Sequence, residues 1–316
     1  MDKEITQLIP THSCFLAPLS GFSDLPFRKI TRECGKEKLT FTEMISADSL
    51  VRNKRTKSAD KEDGEITIAQ LFGSEPDIIQ EAAKIIEDKG YAAVDVNMGC
   101  PVRKITKKGA GAALLQEPAK VGKIVEGMKT AVSIPVSIKI RSGWDHEHHN
   151  FLEIGKIAEN AGAAFISLHP RTREKRFGRD VTWDHIRMLK DHVSIPVIGS
   201  GDVRNVADVH KMLNDTGCHA VIIGRRAIGN PWFFRMWNDK DYTVTKKDEL
   251  ETILRHLNYS VSFYGEELGL LKFRKHLVQY SWDKTNAKSF RKTVFTKNTL
   301  KDVENLIRNF FRSYEN

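Results

Sequence analysis

Short apolar runs alternate with longer amphipathic stretches over the first 240 residues. The runs are Phe15–Pro18, Thr40–Met44, Thr67–Leu71, Val94–Asn97, Val136–Ile140, Phe165–His169, Val197–Gly199 and Val221–Gly224. Each is short, rich in β-branched or aromatic residues, and bounded by Gly, Pro or polar positions, so each predicts a buried strand. Segments of helical spacing lie between them, among them Ile78–Lys89, Ala119–Thr130, Phe151–Ala161 and Val206–Asp215. Three units share one cadence, a helix closed by glycine (Gly90, Gly162, Gly217) and followed at once by an apolar strand. The pentapeptide Val-Ser-Ile-Pro-Val occurs at 132–136 and again at 193–197, where a proline ends one element before a strand begins. Strands alternating with helices imply parallel pairing, and eight of them predict a (β/α)8 barrel, with an open doubly wound sheet as the alternative.

The pattern changes near Asp241. Asp248–Phe263, Leu268–Tyr280 and Leu300–Phe311 are amphipathic at helical spacing. The expected organisation is a barrel over residues 1–240 and a small all-α domain over 241–316. Between Leu270 and Lys301 stand nine basic residues (Lys272, Arg274, Lys275, Lys284, Lys288, Arg291, Lys292, Lys297 and Lys301) and one acid, Asp283, with Tyr280, Trp282, Phe290 and Phe295 interleaved. Cations with aromatics between them fit a surface for a polyanion with stacking bases. The net charge of +9 points the same way.

Composition narrows the setting. No apolar run approaches the ~18 residues of a membrane span. The start, Met1-Asp2-Lys3-Glu4, is unlike a secretory signal. Cys14, Cys34, Cys100 and Cys218 form no Cys-x-x-Cys pair, so no metal is expected and a reduced cytoplasmic setting fits.

In such a barrel, chemistry sits at the C-terminal ends of the strands. There the sequence places Ala17-Pro18-Leu19, Gln70, Asn97 with Cys100, Lys139 with Arg141, His169 with Arg171, Gly199-Ser200-Gly201-Asp202, and Gly224-Arg225. The glycines after the last two strands suit a phosphate held by backbone N–H groups, and Arg225 adds charge. Lys139 reads as a Schiff-base lysine, as a partner for a bound anion, or as half of a buried ion pair. Gln70 can donate and accept, which suits a flavin or pyrimidine edge. His169 is a site residue or a satisfied structural histidine. Cys100 reads as a nucleophile, as a general acid, or as a small buried apolar residue. The run Gly109-Ala-Gly-Ala-Ala-Leu114 lacks the third glycine and the preceding strand of a dinucleotide fingerprint.

Together these segments resemble the tRNA-dihydrouridine synthases. The resemblance rests on Ala17-Pro-Leu-Ser-Gly-Phe-Ser-Asp24, Asn97-Met-Gly-Cys-Pro101, Lys139-Ile-Arg141, His169-Pro-Arg-Thr-Arg173, Gly199-Ser-Gly-Asp202 and Gly224-Arg225. In the tail, Leu271-Lys-Phe-Arg-Lys-His-Leu277 and Tyr280 are similar to that family's helical RNA-binding domain. The resemblance implies an FMN-dependent barrel that reduces the C5–C6 bond of uridine in tRNA, or in another structured RNA, with NADPH or NADH as reductant. It implies that Ala17, Pro18, Leu19, Gln70, Lys139, His169, Gly199, Ser200, Gly201, Gly224 and Arg225 hold FMN. Cys100 would be the proton donor and Asn97 would orient the base, with Arg141, Arg171, Arg274 and Lys275 on the RNA side. A monomer without metal or membrane association is expected. The chain departs from the family pattern at Ser200, at Pro170 and at Lys175, Phe177, Arg179, Val181 and Thr182, a loop expected to bear on RNA docking. Two other readings are a flavin barrel acting on a free pyrimidine, like dihydroorotate dehydrogenase, and a non-catalytic RNA-binding protein on a retired barrel.

Overall fold

Each apolar run of the first 224 residues forms a strand. The computed structural model describes residues 7–36, 38–53, 56–175 and 181–312. The strands are β1 (Ser13–Leu16), β2 (Leu39–Ser46), β3 (Ile66–Phe72), β4 (Ala93–Met98), β5 (Val136–Gly143), β6 (Phe165–Thr172), β7 (Val197–Ser200) and β8 (Ala220–Ile223). They pair in parallel in sequence order, and β8 pairs with β1 to close the barrel. The fold is therefore the (β/α)8 barrel, and the open-sheet alternative is excluded.

Helices open where the sequence allows. Pro76 and Pro118 stand in the first turns of Pro76–Asp88 and Pro118–Ala131, where a missing N–H costs nothing. Asn205 caps Val206–Thr216 by accepting from the Asp208 N–H at 2.9 Å.

The inside of the barrel is layered. Phe15, Leu39, Phe41, Ile68, Ala93, Phe165 and Ile198 fill its N-terminal half, with Ile9 packed among them. Each large apolar side chain buried there contributes about 1.5–3 kcal/mol. Farther along, β3, β4, β5 and β6 present polar side chains, at Gln70, Asp95, Ser137 and Ser167, all fully buried.

The chain divides into two compact units. One comprises residues 1–20 and 39–224 and holds the barrel; the other comprises 21–38 and 225–316. The second is helical: Leu25–Gly35, Phe233–Asn238, Lys246–Tyr264, Glu266–Tyr280, Ala287–Val294 and Leu300–Arg312. Leu25–Gly35 follows β1 in the chain, yet its Phe27 ring lies 5.7 Å from His256 and 5.0 Å from His276, inside the helical unit. A capping box of Thr245 and Asp248 starts Lys246–Tyr264. Of the four aromatics interleaved with the basic residues, Tyr280 and Phe290 are core residues. Tyr280 lies 3.1 Å from His256 Nδ1, and Phe290 stacks on Phe310 at 3.9 Å. Trp282 and Phe295 stay exposed, at 62% and 59%. No helix among the described residues is long and apolar enough to cross a membrane.

Candidate active site

The site begins on β4. Side chains of a strand alternate between faces, so Asp95 and Asn97 share one face, and both turn into the barrel. Asn97 Oδ1 accepts from the N–H groups of Gly99 and Cys100, at 3.2 and 2.9 Å. Its Nδ2 donates to Gln70 Oε1 on β3 at 2.9 Å. Gln70 Nε2 in turn donates to Asp95 Oδ2 at 2.7 Å, and Ser137 Oγ on β5 donates to Asp95 Oδ1 at 2.7 Å. Burial raises the Asp95 carboxyl to about 6, against the pull of the Gln70 and Ser137 hydrogen bonds and of Lys139.

Cys100 sits on the loop that Asn97 anchors. It is half-buried, and that burial raises its thiol above the usual value; the Val102 N–H and the Arg141 charge pull it back only in part. The thiol is therefore protonated at neutral pH. Arg141 braces the same loop, with Nε donating to the Gly99 carbonyl at 2.6 Å and Nη1 to the Thr172 carbonyl at 2.9 Å. A third support comes from the run Gly109–Leu114. The Ala112 N–H donates to the Cys100 carbonyl at 3.1 Å, and a Cβ on Gly111 would stand 2.8 Å from that oxygen. With φ at +63°, Gly111 allows this close approach, which is the local purpose of a glycine-rich run that is no dinucleotide fingerprint.

Lys139 pairs in register with Asn97 on one side and Ser167 on the other. Among the described residues its ammonium makes no hydrogen bond or ion pair. Burial and the Arg141 charge lower it to about 8, and Asp95 opposes that shift. It remains mostly protonated at neutral pH. Ser167 Oγ, buried next to it in register, has no hydrogen-bond partner among the described residues.

On β6, Arg171 Nη1 lies 2.8 Å from His169 Nε2, and its Nη2 pairs with Asp202 Oδ2 at 2.6 Å. Arginine only donates, so Nε2 accepts and the His169 proton resides on Nδ1. Trp183 Nε1 donates to the Gly201 carbonyl at 3.0 Å, holding the loop after β7. Ser200 Oγ donates to the Leu168 carbonyl at 2.9 Å, so its hydroxyl ties β7 to β6. Gly201, at φ +113°, leaves space that a Cβ would fill 3.0 Å from His169 Cδ2. Gly224 similarly faces Leu19, whose Cδ2 would be 3.4 Å from an added Cβ. Ala17 N–H donates to the Ile223 carbonyl at 2.9 Å, which places Ala17, Pro18 and Leu19 at the same end of the barrel.

The sequence-expected residues thus fall into groups. Gln70, Asn97, Cys100, Lys139 and Arg141 converge at one side of the mouth; His169 and Arg171 meet the loop after β7; Ala17, Leu19 and Gly224 line β1 and β8. Arg225, Arg274 and Lys275 belong to the helical unit. The three arginines expected on the RNA side make contacts within the protein. Arg141 and Arg171 are buried; Arg141 donates to two loop carbonyls, and Arg171 meets His169 and Asp202. Arg274 donates to the Lys297 carbonyl and to Asn298 Oδ1, at 2.9 and 2.8 Å, and braces its own helices. Phe177 and Arg179 of the divergent loop lie outside the described residues. Asp95, Ser137 and Gly111 join the site beyond the residues expected from sequence; the polar alternation of Val94-Asp-Val-Asn is the signal for the first.

A thiol, an ammonium and an imidazole on the C-terminal ends of strands, with bare glycine backbone after β7 and β8, define an enzyme site of the parallel-barrel class. A family model described as dihydrouridine synthase matches residues 15–315. The chain is 38% identical over 275 residues to tRNA-dihydrouridine synthase B of Pasteurella multocida, covering 84% of this chain and 82% of that one. It is 35% identical over 312 residues to a probable tRNA-dihydrouridine synthase of Rickettsia prowazekii, covering 94% of each. Among solved structures it is similar to morphinone reductase (TM-score 0.54, 13% identity, 75% of this chain and 88% of that one). It is also similar to an old yellow enzyme homologue from Zymomonas mobilis (TM-score 0.52, 12% identity, 74% and 90%). At those identities the solved structures speak for the barrel alone. The chain belongs to the dihydrouridine synthase family.

Proposed function

We propose that this protein reduces the C5–C6 double bond of uridines in RNA, tRNA first, with FMN as cofactor, NADPH or NADH as reductant and Cys100 as the proton donor. The observation that carries this reading is the thiol itself. It is held protonated, on a loop fixed from three sides, one of them the Asn97 amide, which itself pairs in register with Lys139. A nucleophilic cysteine would need a base to make thiolate; an acid needs only to keep its proton until it is used.

The residues fit a flavin mononucleotide. Lys139 brings a positive charge that makes no hydrogen bond or ion pair among the described residues, and Ser167, its register partner, a hydroxyl with no hydrogen bond among them. The backbone N–H groups of the glycine-containing turns after β7 and β8, at Gly201 and Gly224, suit a phosphate, and Arg225, next in the chain, adds charge. The chemistry supplied by bound FMN, once reduced, is hydride delivery to C6 of the uracil ring. Cys100 gives its proton to C5, so the two additions saturate one double bond. Asn97, with two backbone N–H groups and Gln70 already satisfied, keeps one amide hydrogen for the base. Lys139 stabilises negative charge in its neighbourhood.

The domain roles follow. The barrel carries the chemistry and the helical segment holds RNA. Trp282 and Phe295 are exposed, with Lys288, Lys292 and Lys301 exposed in the same segment, which favours a polymer over a free pyrimidine. Its target uridine leaves the stack to reach a barrel mouth.

Purified Cys100→Ala is expected to keep its flavin and lose dihydrouridine formation by roughly 10²–10⁴-fold, the usual worth of a positioned acid. Wild-type turnover in that variant, or a colourless protein that FMN cannot reconstitute, would sink the proposal.

A further inference from the structure

The barrel interior contains a carboxyl group with no part in the chemistry above. Asp95 lies two residues before Asn97 on β4 and is completely buried. Every hydrogen bond between it and the Cys100 loop runs in one direction, and backbone donors at the loop end set that direction. The backbone N–H groups of Gly99 and Cys100 can only donate, so the side-chain atom of Asn97 that faces them is the oxygen. Its nitrogen therefore faces Gln70 and requires an acceptor, which must be Oε1. The Gln70 nitrogen then faces Asp95 and again requires an acceptor. Only at Asp95 does the sequence of donors end, because a carboxyl oxygen accepts without having to donate onward.

We propose that Asp95 is a positioning residue: it terminates a one-way chain of hydrogen bonds through Gln70 and Asn97 that fixes the Gly99–Cys100 backbone and so the place of the thiol. The purpose of that placement rests on the reading of Cys100 as proton donor; the chain itself does not. Its logic is specific about substitutions. Asparagine at 95 can still accept from Gln70 through its oxygen, while its nitrogen donates to Ser137, whose hydroxyl turns to accept. Leucine cannot accept, so the Gln70 amide, and Asn97 after it, lose their orientation. The chain can also be reversed as a whole. With Asn at 95 and Asp at 97, Gln70 turns over, accepts from position 95 and donates to position 97, and the loop N–H groups still meet an oxygen.

The test is the alkylation rate of Cys100 by iodoacetamide, read on the Cys100 peptide by mass spectrometry at about pH 8, where the buried carboxyl is ionised. Cys14, Cys34 and Cys218 are buried and serve as internal controls for global opening. Asp95→Leu is expected to alkylate about tenfold faster than wild type, and Asp95→Asn within about threefold of it. Asn97→Asp, with carboxylates at both ends of one amide, is expected to alkylate about tenfold faster than the double variant Asp95→Asn/Asn97→Asp, in which the chain runs backwards. Both members of that pair carry the same carboxylate at 97, so the comparison stands even where Asp95→Leu does not fold. A double variant as reactive as Asn97→Asp alone, or an Asp95→Asn as reactive as a folded Asp95→Leu, overturns the proposal. Absence of dihydrouridine formation by the wild-type protein would defeat the functional reading and leave these rates unchanged.

Discussion

Asp95 keeps its charge at a cost. Its carboxyl is raised to about 6 in the folded protein, against about 3.9 for a free aspartate. Between those two values the folded state binds more protons than the unfolded one, so stability falls as pH rises through that window. Asp95→Asn is therefore expected to raise the thermal midpoint near neutral pH, with the gain disappearing by about pH 4; melts at the two pH values check the sign. Gly111 makes a second prediction. An alanine there would need the left-handed region and would press on the Cys100 carbonyl at 2.8 Å. Gly111→Ala should cost about 1–3 kcal/mol in chemical denaturation and displace the cysteine loop. These two residues also mark how far the site was legible. Asn97, Cys100, Lys139 and His169 stood out because each is polar at the end of an apolar run. Gly111 did not, because the atom that demands a glycine belongs to a residue eleven positions away. For the arginines the bracing contacts were not legible: at a strand end a guanidinium can meet a substrate anion, brace neighbouring carbonyls, or do both, and sequence does not distinguish these.

At the level of elements, strand existence was readable and strand ends were not. Val136–Ile140 and Phe165–His169 extend to Gly143 and Thr172, because Arg141 and Arg171 remain in strands while their buried side chains find partners. The long amphipathic helices of the tail appear where their spacing placed them. The short helix Ala287–Val294 was hidden by its four basic or hydroxylic neighbours around Phe290. The tail has its own pH signature. His256 is lowered to about 3 and His276 well below its usual value, both by burial first, with Lys275 adding to each; among the described residues His276 has no hydrogen-bond partner at either nitrogen. Both must stay neutral for the helices to pack, so stability is complete above about pH 6.5 and drains as pH falls below it. Unfolding monitored at pH 7 and pH 5 should show the helical unit losing stability at the lower value, and His276→Phe should lessen that loss. The exposed lysines serve a different end. Replacing Lys288, Lys292 and Lys301 by glutamate should weaken RNA binding at all sequences and flatten its salt dependence, with little change in melting, because none of the three is buried.

Across the whole molecule, the hydrophobic half of the barrel and its polar mouth divide one set of strands between stability and chemistry. The lower residues pack, and the upper ones orient a thiol, an ammonium and an imidazole. The net charge of +9 gives the chain an affinity for polyanions before any specific contact forms. Family membership and the cysteine loop together make RNA uridine reduction the central claim. Its most direct test is dihydrouridine mapping across total RNA incubated with the flavin-loaded protein and a nicotinamide reductant, beside the Cys100→Ala variant. We expect dihydrouridine at discrete uridines of tRNA with the wild-type protein and none with the variant. Identical maps for the two proteins, or no dihydrouridine from either, would contradict it.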